Sequence, residues 1–197
     1  GTSGIAFSLF KLNAYLPDEE IKLAAIKALN FERKMYDVEK NYWYSFKLYE
    51  NDNIETIKNE NHFWAYGSGG IALSRILILD YYQDEIIKNE IDISVNNLKE
   101  KGWSGNFNYS SGVFGNIDVL NEYAHKLQDN DVKCKLNDFL NTIINEKRNG
   151  FESWSCAAVG KKSNSNFEMI GFFTGISGIN NTMLNIINYD KTVKLFK

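Results

Sequence analysis

A glycine turn recurs four times along this chain, and a helix-like apolar pattern follows each copy. The turns are Gly1-Thr2-Ser3-Gly4, Gly67-Ser68-Gly69-Gly70, Gly112-Val113-Phe114-Gly115 and Gly175-Ile176-Ser177-Gly178. The runs behind them place Ile5, Leu9 and Leu12, then Ile71, Ile76, Leu77 and Leu79, then Ile117, Leu120 and Leu127 around Tyr123, and last Ile179, Met183, Leu184 and Ile187. Apolar residues three and four apart mark one buried face of a helix. Glycine permits positive φ and close backbone approach, so it can launch a helix from a tight turn. A phosphate-cradling reading is weak, because no strand is expected before these turns and no lysine follows them.

Longer, more charged helices are expected between the glycine-launched ones. "PDEEIKLAAIKALNFERKMY" opens with Pro17 and the acids Asp18, Glu19 and Glu20, which suit a helix N-terminus better than a glycosidase carboxylate pair. "DEIIKNEIDISVNNLKEKG" and "NDVKCKLNDFLNTIINEKRNG" end at Gly102 and Gly150, plausible C-caps. The order is inner helix, outer helix, repeated, in an all-α chain with a single proline. The turns are unevenly spaced, which argues against a regular solenoid and suits a closed ring of helical hairpins with loops elaborated at one rim.

Composition removes several classes of function. At 197 residues and 44% apolar content, one domain over 1–197 with a sizeable core is expected. A net charge of −3 gives no electrostatic case for nucleic acid or an anionic membrane. The longest apolar stretch, "GGIALSRILILDYY", is broken by Arg75 and Asp80 and is too short to span a bilayer. The chain shows no charged-then-apolar secretion signal, so a cytoplasmic setting with Cys134 and Cys156 as reduced thiols is expected. Cys134 falls among Val132, Leu136, Phe139, Leu140 and Ile143 and reads as a core residue, leaving Cys156 the freer of the two. Glu32 and Arg33 read as an ordinary surface pair of small worth. Trp43, Trp64, Trp103 and Trp154 suit rim packing as well as peptide recognition, and Lys161 and Lys162 read as solvated loop residues. The chain starts inside a turn, so a piece of a longer polypeptide is expected.

The segments "GTSGIAFSLFKL", "ALNFERKMYDVEKNYWYSF", "FWAYGSGGIALSRILIL", "SSGVFGNIDVLNEYA" and "FFTGISGI" together resemble the C-terminal half of a lanthionine synthetase cyclase domain. The stretch Asn30 to Trp43 most resembles the bifunctional class II synthetases, which join a dehydratase to a cyclase. The likeness covers nearly the whole chain in order. It implies an α/α toroid of inner and outer helical hairpins, with roughly the last four of seven present. It also implies a precursor peptide as partner, and the N-terminal remainder of the synthetase or a second copy to complete the ring.

The same resemblance implies a loss. Family cyclases carry Trp-Cys-x-Gly where this chain has Trp64-Ala65-Tyr66-Gly67, and Cys-His-Gly where it has Ser110-Ser111-Gly112. Those two cysteines and that histidine hold a catalytic zinc in the family. Here Ala65, Ser110 and Ser111 stand in their places, so no zinc is expected. A free thiol has a pKa of about 8.5, and zinc lowers that of a bound substrate thiol so that it can attack a dehydrated serine or threonine. Alanine offers no lone pair, and a neutral serine hydroxyl is a poor zinc ligand. Tyr66 would be a rare one, and the replacements His62, His125, Cys134 and Cys156 do not suggest a full set. A family histidine just before the first turn would fall one residue ahead of Gly1.

Three functions follow. The first is a degenerate, zinc-free cyclase-like domain that supports or binds the precursor peptide. The second is a metal-independent cyclase in which Tyr66, Tyr109, Ser110 and Ser111 orient the peptide thiol or the developing enolate. The third is a structural or interaction module without catalysis.

Overall fold

The computed structural model describes residues 1–48, 54–57, 60–103, 105–150, 154, 156 and 169–190. Lys161 and Lys162 lie outside them. The chain divides into two compact units, Gly1–Glu100 and Lys101–Lys197. Most described residues are helical, and none of the described helices is long and apolar enough to cross a membrane.

In the first unit, α1 (Thr2–Tyr15) packs on α2 (Glu19–Arg33) and on α3 (Ser68–Ile78), with α4 (Glu85–Lys101) closing the unit in sequence. Asp18 caps α2, its carboxylate accepting from the N–H groups of Glu20 (2.7 Å) and Ile21 (3.3 Å). This satisfies two of the four amide donors that a helix N-terminus leaves open. The acidic cluster is therefore a helix start. The helix stops at Arg33, short of the Tyr36 that its pattern suggested. Asp37 draws the chain into a turn by accepting from the N–H groups of Glu39 and Lys40. Two antiparallel ribbons follow, β1 (Tyr36–Asp37) with β2 (Tyr42–Trp43) and β3 (Ser45–Leu48) with β4 (Ile54–Ile57). They are additions to a helical chain that periodicity did not foretell.

Helix α3 is buried on nearly every side, from Ser68 to Ile78, whereas α4 buries the single stripe Ile87, Ile91, Val95 and Leu98. That is the expected contrast between inner and outer helices. Helix α1 departs from expectation. Ala6 and Phe10 are its buried residues, while Ile5 and Leu12 are 56% and 45% exposed. The helix carries apolar residues on more than one face, and the Ala6–Phe10 side is the one it buries.

The second unit contains α5 (Val113–Lys126), α6 (Asn130–Gly150) and α7 (Ile176–Ile187). Helix α5 is buried almost all round, and α6 presents Val132, Leu136, Leu140 and Ile143 inward. Phe114, Ile143, Cys156 and Ile179 form a core cluster, with Phe107, Phe139, Trp154 and Met183 against it. The two cysteines are reversed from expectation: Cys134 is exposed and Cys156 is buried among aromatic rings. Trp43, Trp103 and Trp154 pack against Tyr36, Phe139 and Phe107 respectively. Leu184 and Ile187 of α7 remain exposed, as does Leu127 just beyond α5.

All four glycine-launched helices begin directly after the first glycine of their turn: Gly1, Gly67, Gly112 and Gly175 are the N-caps. The last three share one geometry. A Cβ on Gly67 would lie 1.8 Å from the Asn61 carbonyl oxygen, one on Gly112 2.4 Å from that of Asn106, and one on Gly175 2.0 Å from that of Met169. In each case the crowding carbonyl lies six positions earlier. The same carbonyl accepts the N–H of the residue after the glycine: Ser68 to Asn61 (3.3 Å), Val113 to Asn106 (2.9 Å) and Ile176 to Met169 (2.7 Å). Gly67 also sits at φ +100°. We expect Gly67→Ala to destabilise the first unit by about 1–3 kcal/mol from the backbone conformation alone, with the clash in addition. A urea midpoint equal to that of the parent chain would count against this closure.

Candidate functional site

The loop from Asn61 to Gly67 carries Ala65 and Tyr66. Its start is held by the Tyr42 hydroxyl, which accepts the Asn61 N–H at 2.6 Å. Burial pushes the Tyr42 phenol up to about 12, so it stays protonated at neutral pH. His62 lies between Glu60 (Nε2 to Oε1, 3.1 Å) and Ser68 (Nδ1 to Oγ, 3.2 Å), so both ring nitrogens are engaged. Ser68 also accepts from the Asn97 side chain at 3.2 Å. Tyr66 is half-buried with its ring edge-on to Phe63, and Ala65 is exposed. The loop thus presents a methyl group where the family resemblance places a thiolate.

Helix α3, which this loop launches, is anchored by buried charge. The Arg75 side chain is fully buried, with Nε 3.0 Å from Glu90 Oε2 and Nη2 2.7 Å from Glu32 Oε2. The second contact is a close charge pairing, not an aligned hydrogen bond, since neither atom finds hydrogen-bond geometry. Arg33 donates to both Glu90 oxygens (2.9 and 3.2 Å) and to both Asp84 oxygens (3.1 and 3.0 Å). Ser3 of α1 donates to Glu32. Four helices and the Asp84 turn therefore meet in one network. Glu32 and Arg33 are its members, not the minor surface pair expected: they point to different partners far along the chain. The carboxylates of Glu90 and Asp84 hold the Arg33 guanidinium above its usual range against the opposing effect of burial.

The loop from Asn106 to Gly112 carries Tyr109, Ser110 and Ser111, and asparagines hold it. Asn108 Oδ1 accepts from the Ser111 N–H (2.8 Å) and from the Ser111 hydroxyl (3.3 Å). Asn106 accepts the Asn108 N–H with its side chain and donates to the Ser111 carbonyl. Ser111 is 2% exposed, so its hydroxyl is committed inside the loop. Tyr109 is equally buried, and its hydroxyl donates to Asp118 Oδ2 at 2.8 Å. Burial first, then the Asp118 carboxylate, raises the Tyr109 phenol far above its ordinary range. Asp118 Oδ1 accepts in turn from Asn185 of α7. Ser110 is half-buried, and its N–H donates to the Phe173 carbonyl at 2.8 Å. Of the residues singled out from sequence, Tyr109, Ser110 and Ser111 share this loop, and Ala65 and Tyr66 share the other. Asn106 and Asn108 were missed, although an asparagine pair ahead of a turn is a recognisable side-chain-to-backbone signal.

The donor set does not fit zinc. Ala65 has no donor atom, and the Ser111 hydroxyl is spoken for by Asn108. None of the three positions supplies a thiolate or imidazole. The substitutes fare no better: Cys156 is in the core, Cys134 lies on the exposed side of α6, and His125 stacks on Tyr189 at 3.7 Å. Among the described residues there is no group of three or more His, Cys, Asp or Glu that could hold a metal ion.

Comparison with known proteins adds two findings. The model of the family described as lanthionine synthetase C-like protein matches residues 1–196. The chain is also similar to the lacticin 481/lactococcin biosynthesis protein LcnDR2 of Lactococcus lactis subsp. lactis, 28% identical over 127 residues. That match covers 59% of this chain and 13% of the relative's length.

Proposed function

The chain belongs to the lanthionine synthetase C-like family, and on that premise we propose that it serves lanthipeptide biosynthesis as a cyclase-like domain that holds the precursor peptide without the family's zinc. The observation that carries the reading is the donor chemistry at Ala65, Ser110 and Ser111, of which one has no donor and one is sequestered by Asn108. The similarity to a lacticin 481/lactococcin biosynthesis protein supports the pathway. Tyr66 and Ser110, each half-buried on a fixed loop, are the groups we assign to peptide contact. Tyr109 and Ser111 shape the second loop from within. Cyclisation itself is lost here or supplied elsewhere, in a cytoplasmic setting.

The exposed apolar residues Ile5 and Leu12 of α1, with Leu16 just beyond it, and Leu184 and Ile187 of α7 support a further part of the proposal. Apolar area removed from water is worth about 25 cal/mol per Å², so these residues favour coverage by more of the same polypeptide or by a second copy. Light scattering on the purified chain that found a well-folded monomer without partner would overturn that part.

Two measurements on the intact chain test the main reading. Protein purified without chelator should contain far less than one zinc per chain by elemental analysis. A synthetic peptide carrying dehydroalanine and cysteine should bind and be recovered without a thioether by mass spectrometry. Stoichiometric zinc refutes the vacated-site reading, and thioether formation without zinc replaces it with metal-independent cyclisation.

A further inference from the structure

The position two before the N-cap glycine is Ala65 in one loop, Ser110 in the next and Phe173 in the third. Phe173 did not figure in the sequence reading. Its carbonyl accepts the Ser110 N–H at 2.8 Å, so two equivalent loop positions of the second unit lie side by side. Phe173 is 45% exposed, Ile170 81% and Met169 41%. Isolated exposed apolar side chains are ordinary, whereas three within one short loop form a patch. No charged residue interrupts the stretch from Met169 to Gly175.

The patch is held in place. The Ile176 N–H donates to the Met169 carbonyl at 2.7 Å and the Ser177 hydroxyl to the Ile170 carbonyl at 2.5 Å. Beneath it, Phe172 packs on Tyr109 with ring centroids 4.9 Å apart, and Asp118 fixes Tyr109. A loop ordered in advance loses little conformational freedom when a ligand arrives. The closure uses backbone atoms and the half-buried Phe172, and Phe173 leans edge-on against Phe172 (5.3 Å between ring centroids) and Tyr109 (6.2 Å) while staying 45% exposed.

We propose that Phe173, with Ile170 and Met169, is the apolar contact for hydrophobic side chains of the precursor peptide, next to Ser110; this rests on the peptide-holding reading above. The surface selects by shape and apolarity, not by charge. It would take an extended peptide that places an aromatic or aliphatic side chain on Phe173 while its backbone passes Ser110.

The test is fluorescence anisotropy with the intact chain and a fluorescein-labelled synthetic peptide carrying cysteine, dehydroalanine and phenylalanine. Phe173→Ser and Ile170→Ser should each weaken binding about tenfold. Leu127→Ser, at an exposed apolar residue beyond α5, should leave it unchanged. An alanine-for-phenylalanine peptide should lose most of its sensitivity to Phe173→Ser. Ile170 is so exposed that its replacement gives the same answer even where Phe173→Ser loosens the fold. Equal affinities for parent and both variants overturn the proposal and leave peptide holding intact. No binding by the parent chain overturns both.

Discussion

Arg75→Ala should lower the unfolding free energy of the first unit by about 3–5 kcal/mol, read as a large fall in its urea midpoint. The side chain is completely buried and faces Glu90 and Glu32. Its removal leaves Arg33, already shared with Asp84, to balance Glu90, and takes from the Glu32 carboxylate its buried cation while the Ser3 hydroxyl stays. Breaking one side of a buried ion pair strands a charge where water cannot reach it. A domain of ordinary stability has only about 5–15 kcal/mol in hand, so this single change consumes much of that reserve. Arg75→Lys should fall between, since it keeps the charge but loses the planar fork. A midpoint within error of the parent for Arg75→Ala would show that the network is not a keystone of the unit.

The second large effect is a gain. The variant Ala65→Cys, Ser110→Cys, Ser111→His introduces the donors that family resemblance assigns to these positions, and the expected result is zinc in the variant and none in the parent chain. Thiolate and imidazole are the ligands zinc prefers, and three of them suffice for a site with an open position. Ser111→His must also displace the Asn108 contacts, so the loop has to yield before the ring can turn outward. Elemental analysis decides the matter. Zinc in neither protein would mean the ligand positions have been misassigned.

Much of this molecule could be read from local pattern. The helices that follow the glycines were legible because both signals, the turn residue and the apolar period, act within a few residues. The face of α1 was not: a helix with apolar residues on more than one side offers two stripes, Ile5–Leu9–Leu12 and Ala6–Phe10, and only its neighbours choose between them. Cys134 was readable and misread. At 100° per residue it stands about 200° from Val132, on the opposite side of the helix from the stripe that was correctly identified. The Arg75 network was hidden for a different reason. Its partners are distant in sequence, and nothing local in "ALSRIL" says which carboxylates will converge on the arginine. Of the candidate site, the two loops were legible from their glycines. The asparagine scaffold around Ser111 and the apolar patch at Phe173 emerged only once backbone atoms were in place.

The shared loop closure has a consequence for how such a chain can change. Each of the three closures is made by one carbonyl, one amide and a glycine hydrogen, and by no side chain at the position two before the glycine. That position behaves as a socket: the closure keeps its form while Ala65, Ser110 or Phe173 occupies it. Chemistry can be exchanged there without dismantling the architecture.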